Sequence, residues 1–429
     1  MRTAIAIAAC SAVYGCSATT TGPVAGAAHG AQQYILQNGQ QPLQWETFDI
    51  AFVKGPIVQL TTGPDEMVWA TESASACQRT SCHQAIDRLD LVTGRVRRFV
   101  LPKTIFGIEG IATGPDGDLW FTVARPPSIG KMTTGGTTTF YQLGPSSAPF
   151  SITAGPDGDL WFADLGADAV GKITTSGQVT EYPVPSGSPV KDIVTGSDGL
   201  LWFDEATFDS RVGSATTGGT ITEYPAPTKN VFIGDIAPAV DGGVWFTETS
   251  VGRHSPVDGH KIGRVTTTGT VTEFATAADK PWFVTSERDG KRLFVFDKTG
   301  LNSFSTVSDT WRTIGPPPNG IDWQSILMGS DGNIFFSEPS IDSFGVFVRN
   351  VLSVTPTSLT LTVGTSQQIS ASEPTAGLPL RAITSNKAVA TVASAGPDTF
   401  LVTGVGPGTC IVTVEDHRRN AFDVAVTVQ

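Results

Sequence analysis

One short unit recurs along this chain and limits what the chain can fold into. Gly155-Pro156-Asp157-Gly158-Asp159-Leu160-Trp161-Phe162 is a turn followed by an apolar run, and residues 114–121 repeat it letter for letter. Weaker copies carry their Asp at Asp65, Asp198, Asp241, Asp289 and Asp331, so that the seven copies stand 51, 41, 41, 43, 48 and 42 residues apart. A unit of that length with one Asp-Gly turn cannot bury its own apolar face and must stack on its neighbours. The period predicts a ring of small sheets, a seven-bladed β-propeller.

Residues 190–227 show the whole unit. Residues 192–196 read as a first strand, and Ser197-Asp198-Gly199 as a hairpin turn whose glycine supplies the positive φ. Residues 200–204 read as a second strand, apolar at the consecutive positions 200–203, as expected of one covered on both faces. Residues 211–217 form the third strand and 220–224 the fourth, which Pro225 ends because it has no N–H to donate. The third strand recurs as Ile129-Gly130-Lys131, Val170-Gly171-Lys172 and Ile262-Gly263-Arg264; the fourth recurs as Thr180-Glu181-Tyr182-Pro183 and Thr272-Glu273-Phe274. The last repeat has three strands and no fourth, whereas Trp45-Glu46-Thr47-Phe48 stands spare ahead of the first. Pairing that segment into the last blade would cover two open edges at once.

The fold class is therefore all-β: a seven-bladed propeller over 44–350, followed by a small Ig-like β-sandwich over 351–429. Short strands with turn signals about every ten residues point to the sandwich. Its Val354–Gly364, Ser385–Val392 and Val402–Thr409 stretches resemble the bacterial immunoglobulin-like (Big2-type) modules of surface proteins, which act as spacers or adhesion elements. Residues 1–16 have the layout of an export signal, with Arg2 before an apolar run and Cys16 after a small residue. Cys16 is the expected lipidation site, with simple cleavage and release as the alternative. Residues 17–43, rich in Ala, Gly, Thr and Gln, read as a flexible tether. In an oxidising compartment Cys77 and Cys82 are expected to form a loop disulfide; a zinc site with His83 is the alternative, and it lacks two further ligands. Cys410 reads as a buried thiol. A net charge of −12 excludes a nucleic-acid partner, which needs a basic face.

Units 153–164, 171–177, 180–185, 245–248 and 262–274 resemble the repeats of the virginiamycin B lyase family. Those repeats read Gly-Pro-Asp-Gly-x-Leu-Trp-Phe-Thr-Glu, Ile-Gly-Arg-Ile-Thr-Thr-x-Gly and Thr-Glu-Tyr-Pro-x-Pro. The resemblance implies a seven-bladed ring and, for the family's lyases, opening of the streptogramin B ring by a Mg²⁺-assisted elimination. The family places its base on His residues that follow Pro at the start of the first strand in two consecutive blades, with a Glu pair near the metal. In this chain the equivalent positions hold Glu109, Phe150, Lys191 or Asp192, Gly234 or Asp235, Trp282, and Asn319 or Gly320. The five histidines, His29, His83, His254, His260 and His417, lie elsewhere, and Lys280 replaces the Glu before the second Pro-His. Without an imidazole in place, proton abstraction loses its usual base, and the metal-ligand types are missing with it. The lyase mechanism does not carry over.

Other chemistry remains open. Glu109 is expected to face the channel, where burial would raise its pKa and suit it to act as a base or a ligand; a solvated or paired carboxylate is the plainer reading. His254 and His260 lie on an insertion, six residues apart, with no metal geometry. An acid stands three residues after the repeat's aromatic in six units, at Glu72, Asp164, Glu205, Glu248, Asp297 and Glu338. These acids are either a cation-binding ring or, more simply, partners of the third-strand Lys131, Lys172 and Arg264. The Asp-Gly-Asp turns supply too few ligands for calcium. The reading is an exported, lipid-anchored, monomeric propeller, touching membrane only through its anchor and needing no cofactor. It binds a small molecule, glycan or envelope protein where Glu109, Phe150, Lys191, Asp235 and Trp282 gather. The alternatives are a divergent lyase or hydrolase with channel carboxylates and Mg²⁺, and an envelope scaffold.

Overall fold

The computed structural model describes residues 32–33, 44–49 and 57–429, apart from 74–83, 91–94, 209, 250–259, 277–279, 288, 298–299, 316–324, 330–332, 339–342, 349–352, 373–379, 397 and 416–420. Every regular element among them is a strand. Seven sheets follow one another between Ile57 and Val348. Blade 1 comprises Ile57–Thr62, Val68–Glu72, Ala85–Leu89 and Val96–Val100. Blades 2 to 6 repeat this four-stranded antiparallel meander, with inner strands Phe106–Thr113, Pro149–Ala154, Val190–Thr195, Phe232–Pro238 and Phe283–Ser286. Each inner strand packs on the inner strands at either side, and that of blade 7, Ile326–Met328, packs back on blade 1. The seven sheets thus close into a ring around a channel.

The closure is the one expected. Gln44–Asp49 pairs antiparallel with Ser343–Val348, from Gln44 opposite Val348 to Asp49 opposite Ser343. Gln32–Gln33, inside the stretch expected as a tether, adds a short strand outside it. The seam is also packed, since Ile57, Leu60 and Val68 share a core with Phe335 and Val346. The Leu60 amide donates across it to Ser325 Oγ at 3.2 Å.

The repeated letters are explained by one packing unit. Asp157 Oδ1 accepts the Trp161 indole N–H at 3.1 Å, Asp157 Oδ2 pairs with Lys172 at 2.7 Å, and the Lys172 ammonium lies 5.5 Å from the Trp161 ring centre. Asp65, Trp69 and Arg88 repeat this in blade 1, and Asp116, Trp120 and Lys131 in blade 2. The third-strand cations therefore serve the turn aspartates, and their expected pairing with the acids at the far end of the second strand is corrected. Register is the reason: Lys172 stands opposite Trp161, next to the turn, whereas Asp164 stands opposite Ala169. Arg264 likewise pairs with Asp241. Gly171 stands opposite Phe162, and a Cβ there would enter the Phe162 ring, as would one on Gly130, Gly213 or Gly263 against its own Phe. Glycine recurs because the ring occupies its side-chain space. Tyr182 completes the stack on Trp161, with ring centroids 5.6 Å apart.

Residues 353–428 form two four-stranded sheets over one core, in which Ile369, Phe400 and Val402 meet Val412, Val414, Val424 and Val426. The run 354–364 alternates at period two as a single half-buried strand would, yet it forms two strands. Ser353–Thr355 pairs with Ser366–Ser372 in one sheet, and Ser358–Leu361 pairs parallel with Ala421–Val428 in the other. Pro356 has no N–H to offer a ladder, so pairing stops there and the chain changes sheet. Cys410 is buried in this core, as expected.

Candidate functional site

Five inner strands are irregular near their beginnings. The register shifts between Ile57 and Gln59, Ile108 and Ile111, Pro149 and Ile152, Val190 and Ile193, and Ile233 and Ile236. A bulge leaves residues unpaired and re-aims their side chains, a device common beside binding sites. The residues so placed in blades 2 to 5 are Glu109-Gly110, Phe150-Ser151, Lys191-Asp192 and Gly234-Asp235. Four predicted site residues therefore share one end of the channel-lining strands. Trp282 precedes the sixth inner strand without a bulge, its N–H bonded to Phe296 O at 3.0 Å.

A hydroxyl relay supports these bulges, and sequence reasoning missed it. The Gly110 amide donates to Thr122 Oγ1 at 2.8 Å, and that hydroxyl donates to Phe150 O of the next blade at 2.7 Å. Thr71 joins the Gln59 amide to Glu109 O, and Thr247 joins the Asp235 amide to Trp282 O. The available signal was a Thr two residues after the repeat's Trp, at Thr71, Thr122 and Thr247. Ala163 and Asp204 break that pattern. In blade 4 Asp204 Oδ1 accepts the Asp192 amide at 2.5 Å, while the next carbonyl in the relay, Gly234 O, accepts from the Lys191 ammonium at 2.8 Å. Lys191 also pairs with Asp192 at 2.5 Å and lies 5.9 Å from the Phe150 ring centre. Asp235 accepts the Ile236 amide at 2.8 Å and the Val284 amide of blade 6 at 2.9 Å. Lys191, Asp192, Asp204 and Asp235 thus form one cluster joining blades 4, 5 and 6.

Its electrostatics follow from burial. Desolvation first, and the Asp192 charge second, push Asp204 up to about 8 and Asp235 up to about 7. Burial works against the Lys191 charge, but Asp192 and Asp204 outweigh it and hold the ammonium above the ordinary lysine range. Glu109 is different. Burial alone raises it to about 7, and its carboxylate has no hydrogen-bond or ion-pair partner among the described residues.

Five of the second-strand acids, Glu72, Asp164, Glu205, Glu248 and Asp297, are buried. Asp164 Oδ1 accepts the Ala148, Gly166 and Ala167 amides at 2.7, 2.9 and 3.0 Å. Glu72 pairs with Arg98 at 2.5 Å, and Glu205 accepts from Ser186 Oγ at 2.9 Å and faces Arg211 at 3.4 Å. Burial, then the neighbouring Glu273, raises Glu248 to about 8. Among the described residues no three His, Cys, Asp or Glu converge as metal ligands. The cluster's carboxylates are already engaged by amides and Lys191, so the residues present do not fit the Mg²⁺ site that the lyase resemblance implies. A Cβ on Gly234 would lie 2.7 Å from Trp282 O and 2.8 Å from Thr247 Oγ1, which leaves no room there for a histidine. His260 Nδ1 accepts the Lys280 amide at 3.4 Å. Cys16, Cys77, Cys82, His83, His254, Asn319 and Gly320 lie outside the described residues.

Comparison with known proteins agrees with this geometry in fold. The sequence model of the virginiamycin B lyase family matches residues 44–340. A streptogramin B lyase structure superposes with a TM-score of 0.62 at 28% identity, covering 71% of this chain and 97% of that one. A catalytically inactive histidine-to-alanine variant of virginiamycin B lyase from Staphylococcus aureus, with quinupristin, gives 0.61 at 26% identity over 71% of this chain and 99% of its own. The WD40 propeller domain of Doa1, at 11% identity and a TM-score of 0.55, shares the fold alone. No curated protein sequence matches the chain.

Proposed function

Since the chain belongs to the virginiamycin B lyase family, yet has no histidine on any inner strand, we propose that it binds a ligand at the bulged face of its channel and does not run the family's histidine chemistry. The observation that carries this reading is the fate of the blade 5 position. Gly234 is boxed in by Trp282 O and Thr247, and its neighbour Asp235 is committed to backbone amides. What remains on that face is a preorganised wall of mixed character, with Phe150, Trp282 and the Glu109 carboxylate available to a ligand. The expected result of a streptogramin B linearisation assay with added Mg²⁺ is no turnover above the uncatalysed rate. Turnover that disappears in Glu109→Gln would overturn the reading in favour of a divergent enzyme, in which this carboxylate, raised to about 7, serves as the base.

Cellular placement belongs to the same proposal. The chain is exported and lipidated at Cys16, the residues between Cys16 and the Gln32–Gln33 strand space the ring from the membrane, and the C-terminal sandwich acts as an immunoglobulin-like spacer. Cys16→Ser is expected to move the protein from the membrane fraction to the soluble fraction; an unchanged membrane fraction removes the anchor from the proposal.

A further inference from the structure

We propose that the bulged face captures an organic ammonium group, held by the Glu109 carboxylate beside the Phe150 ring. This rests on the channel-face reading above and names its ligand class. Glu109 and Phe150 sit on equivalent bulges of adjacent inner strands. Thr122 ties the two together, bonding both the Gly110 amide and Phe150 O. On the other side Thr71 Oγ1 donates to Glu109 O at 2.7 Å, and Gln59 Oε1 accepts the Ile111 amide at 3.1 Å. The backbone carrying the carboxylate is therefore fixed before any ligand arrives, which lowers the ordering cost of binding.

The carboxylate itself is the unspent group. Asp192, Asp204 and Asp235 each have a donor, whereas Glu109 has none among the described residues. Lys191, the cation on these bulges, is taken up by Asp192 and Gly234 O and faces three carboxyl groups in its own cluster. Above about pH 8, where those carboxyl groups are ionised, they outnumber the Lys191 charge and the local field favours a positive guest. A divalent metal needs several oxygen ligands in one place, and no such group converges among the described residues. An ammonium needs one carboxylate, and an adjacent aromatic face adds to its attraction.

The test uses the full chain and two probes, phenethylamine and phenethyl alcohol, which differ in the charge of one group. Ligand-observed NMR titrations at about pH 8.5 keep the amine protonated and Glu109 ionised. The amine is expected to bind at least about tenfold more tightly than the alcohol, with Glu109→Gln abolishing the difference and Phe150→Ala weakening both. Thermal melts show whether each variant is folded. Equal affinity for the two probes overturns the ammonium proposal and leaves the channel-face reading standing, provided that Phe150→Ala still weakens both. A preference that persists in folded Glu109→Gln assigns the charge recognition elsewhere and overturns the proposal too. Binding of neither probe overturns it outright.

Discussion

A chain lacking residues 44–49 is expected to melt roughly ten degrees or more below the intact protein, over a broader transition. The segment is the outer strand of the last blade, and all six of its residues face partners on Ser343–Val348. Each net backbone hydrogen bond contributes about 0.5–1.5 kcal/mol, so the loss is several kcal/mol against a typical total of about 5–15 kcal/mol. The damage extends beyond the count of bonds. Val346, on the strand that would lose its outer partner, packs in the core that joins blade 7 to Ile57, Leu60 and Val68 of blade 1. The deletion also removes the covalent crossing of that seam, since the chain runs from Asp49 in the sheet of blade 7 on to Ile57 in blade 1. Truncation that removes only residues 1–33 takes away the two-residue strand outside it and should shift the melt little. A cooperative, unshifted melt for the 44–49 deletion would show that the side-chain seam alone closes the ring.

This strand illustrates what the sequence makes legible. Trp45 to Phe48 was recognisable because the repeat supplies a template for a fourth strand and the last unit lacks one. The turn aspartates, the Trp-Phe runs and the third-strand glycines were legible for the same reason, since each recurs where the same packing unit recurs. The errors came from register and from departures from the repeat. Which acid Lys172 pairs with is not legible in the sequence, because strand pairing, which sets it opposite Trp161, is not written in residue spacing. Pro356 splits an alternating run between two sheets, and the period-two pattern on either side of it does not reveal the switch. At the candidate site, Glu109, Phe150, Lys191, Asp235 and Trp282 are legible from their place in the repeat, but their bulges are not, because a bulge adds no distinctive residue of its own. In the sequence Asp204 looks like an ordinary end to the second strand. Only with the relay in view does an acid in place of Thr, answered by Lys191 on the neighbouring strand, become a paired substitution.

That pairing leads to the other large effect. Lys191→Met should destabilise the protein by about 3–5 kcal/mol in denaturant titrations near neutral pH, the usual result of removing one partner from a buried ionic cluster. It leaves Asp192, Asp204 and Asp235 without their cation and Gly234 O without its donor. The cost should shrink by about 1–2 kcal/mol when Asp204→Thr is added, because coupled sites do not sum. Thr at 204 would take the Asp192 amide and donate to Gly234 O, as Thr122 does for Gly110 and Phe150 O. The pH dependence supplies a second readout with a definite sign. Burial, then Asp192, holds Asp204 near about 8 and Asp235 near about 7 in the folded chain, whereas an unfolded Asp titrates near about 4. Between those values the folded state keeps protons that the unfolded state has released. The cluster's stabilisation is therefore complete below about pH 4, falls as pH rises, and is gone above about pH 8. At Asp116 and Asp157 burial is outweighed by bonds from Lys131 and Lys172, and their lowered values confine their influence to more acid solution. Wild-type stability should accordingly decline from about pH 5 to about pH 8, and Asp204→Thr should make that decline shallower, leaving the part due to Asp235, Glu109 and Glu248. Strict additivity of the two substitutions, together with an unchanged slope, would mean that Lys191 and Asp204 do not act as one unit.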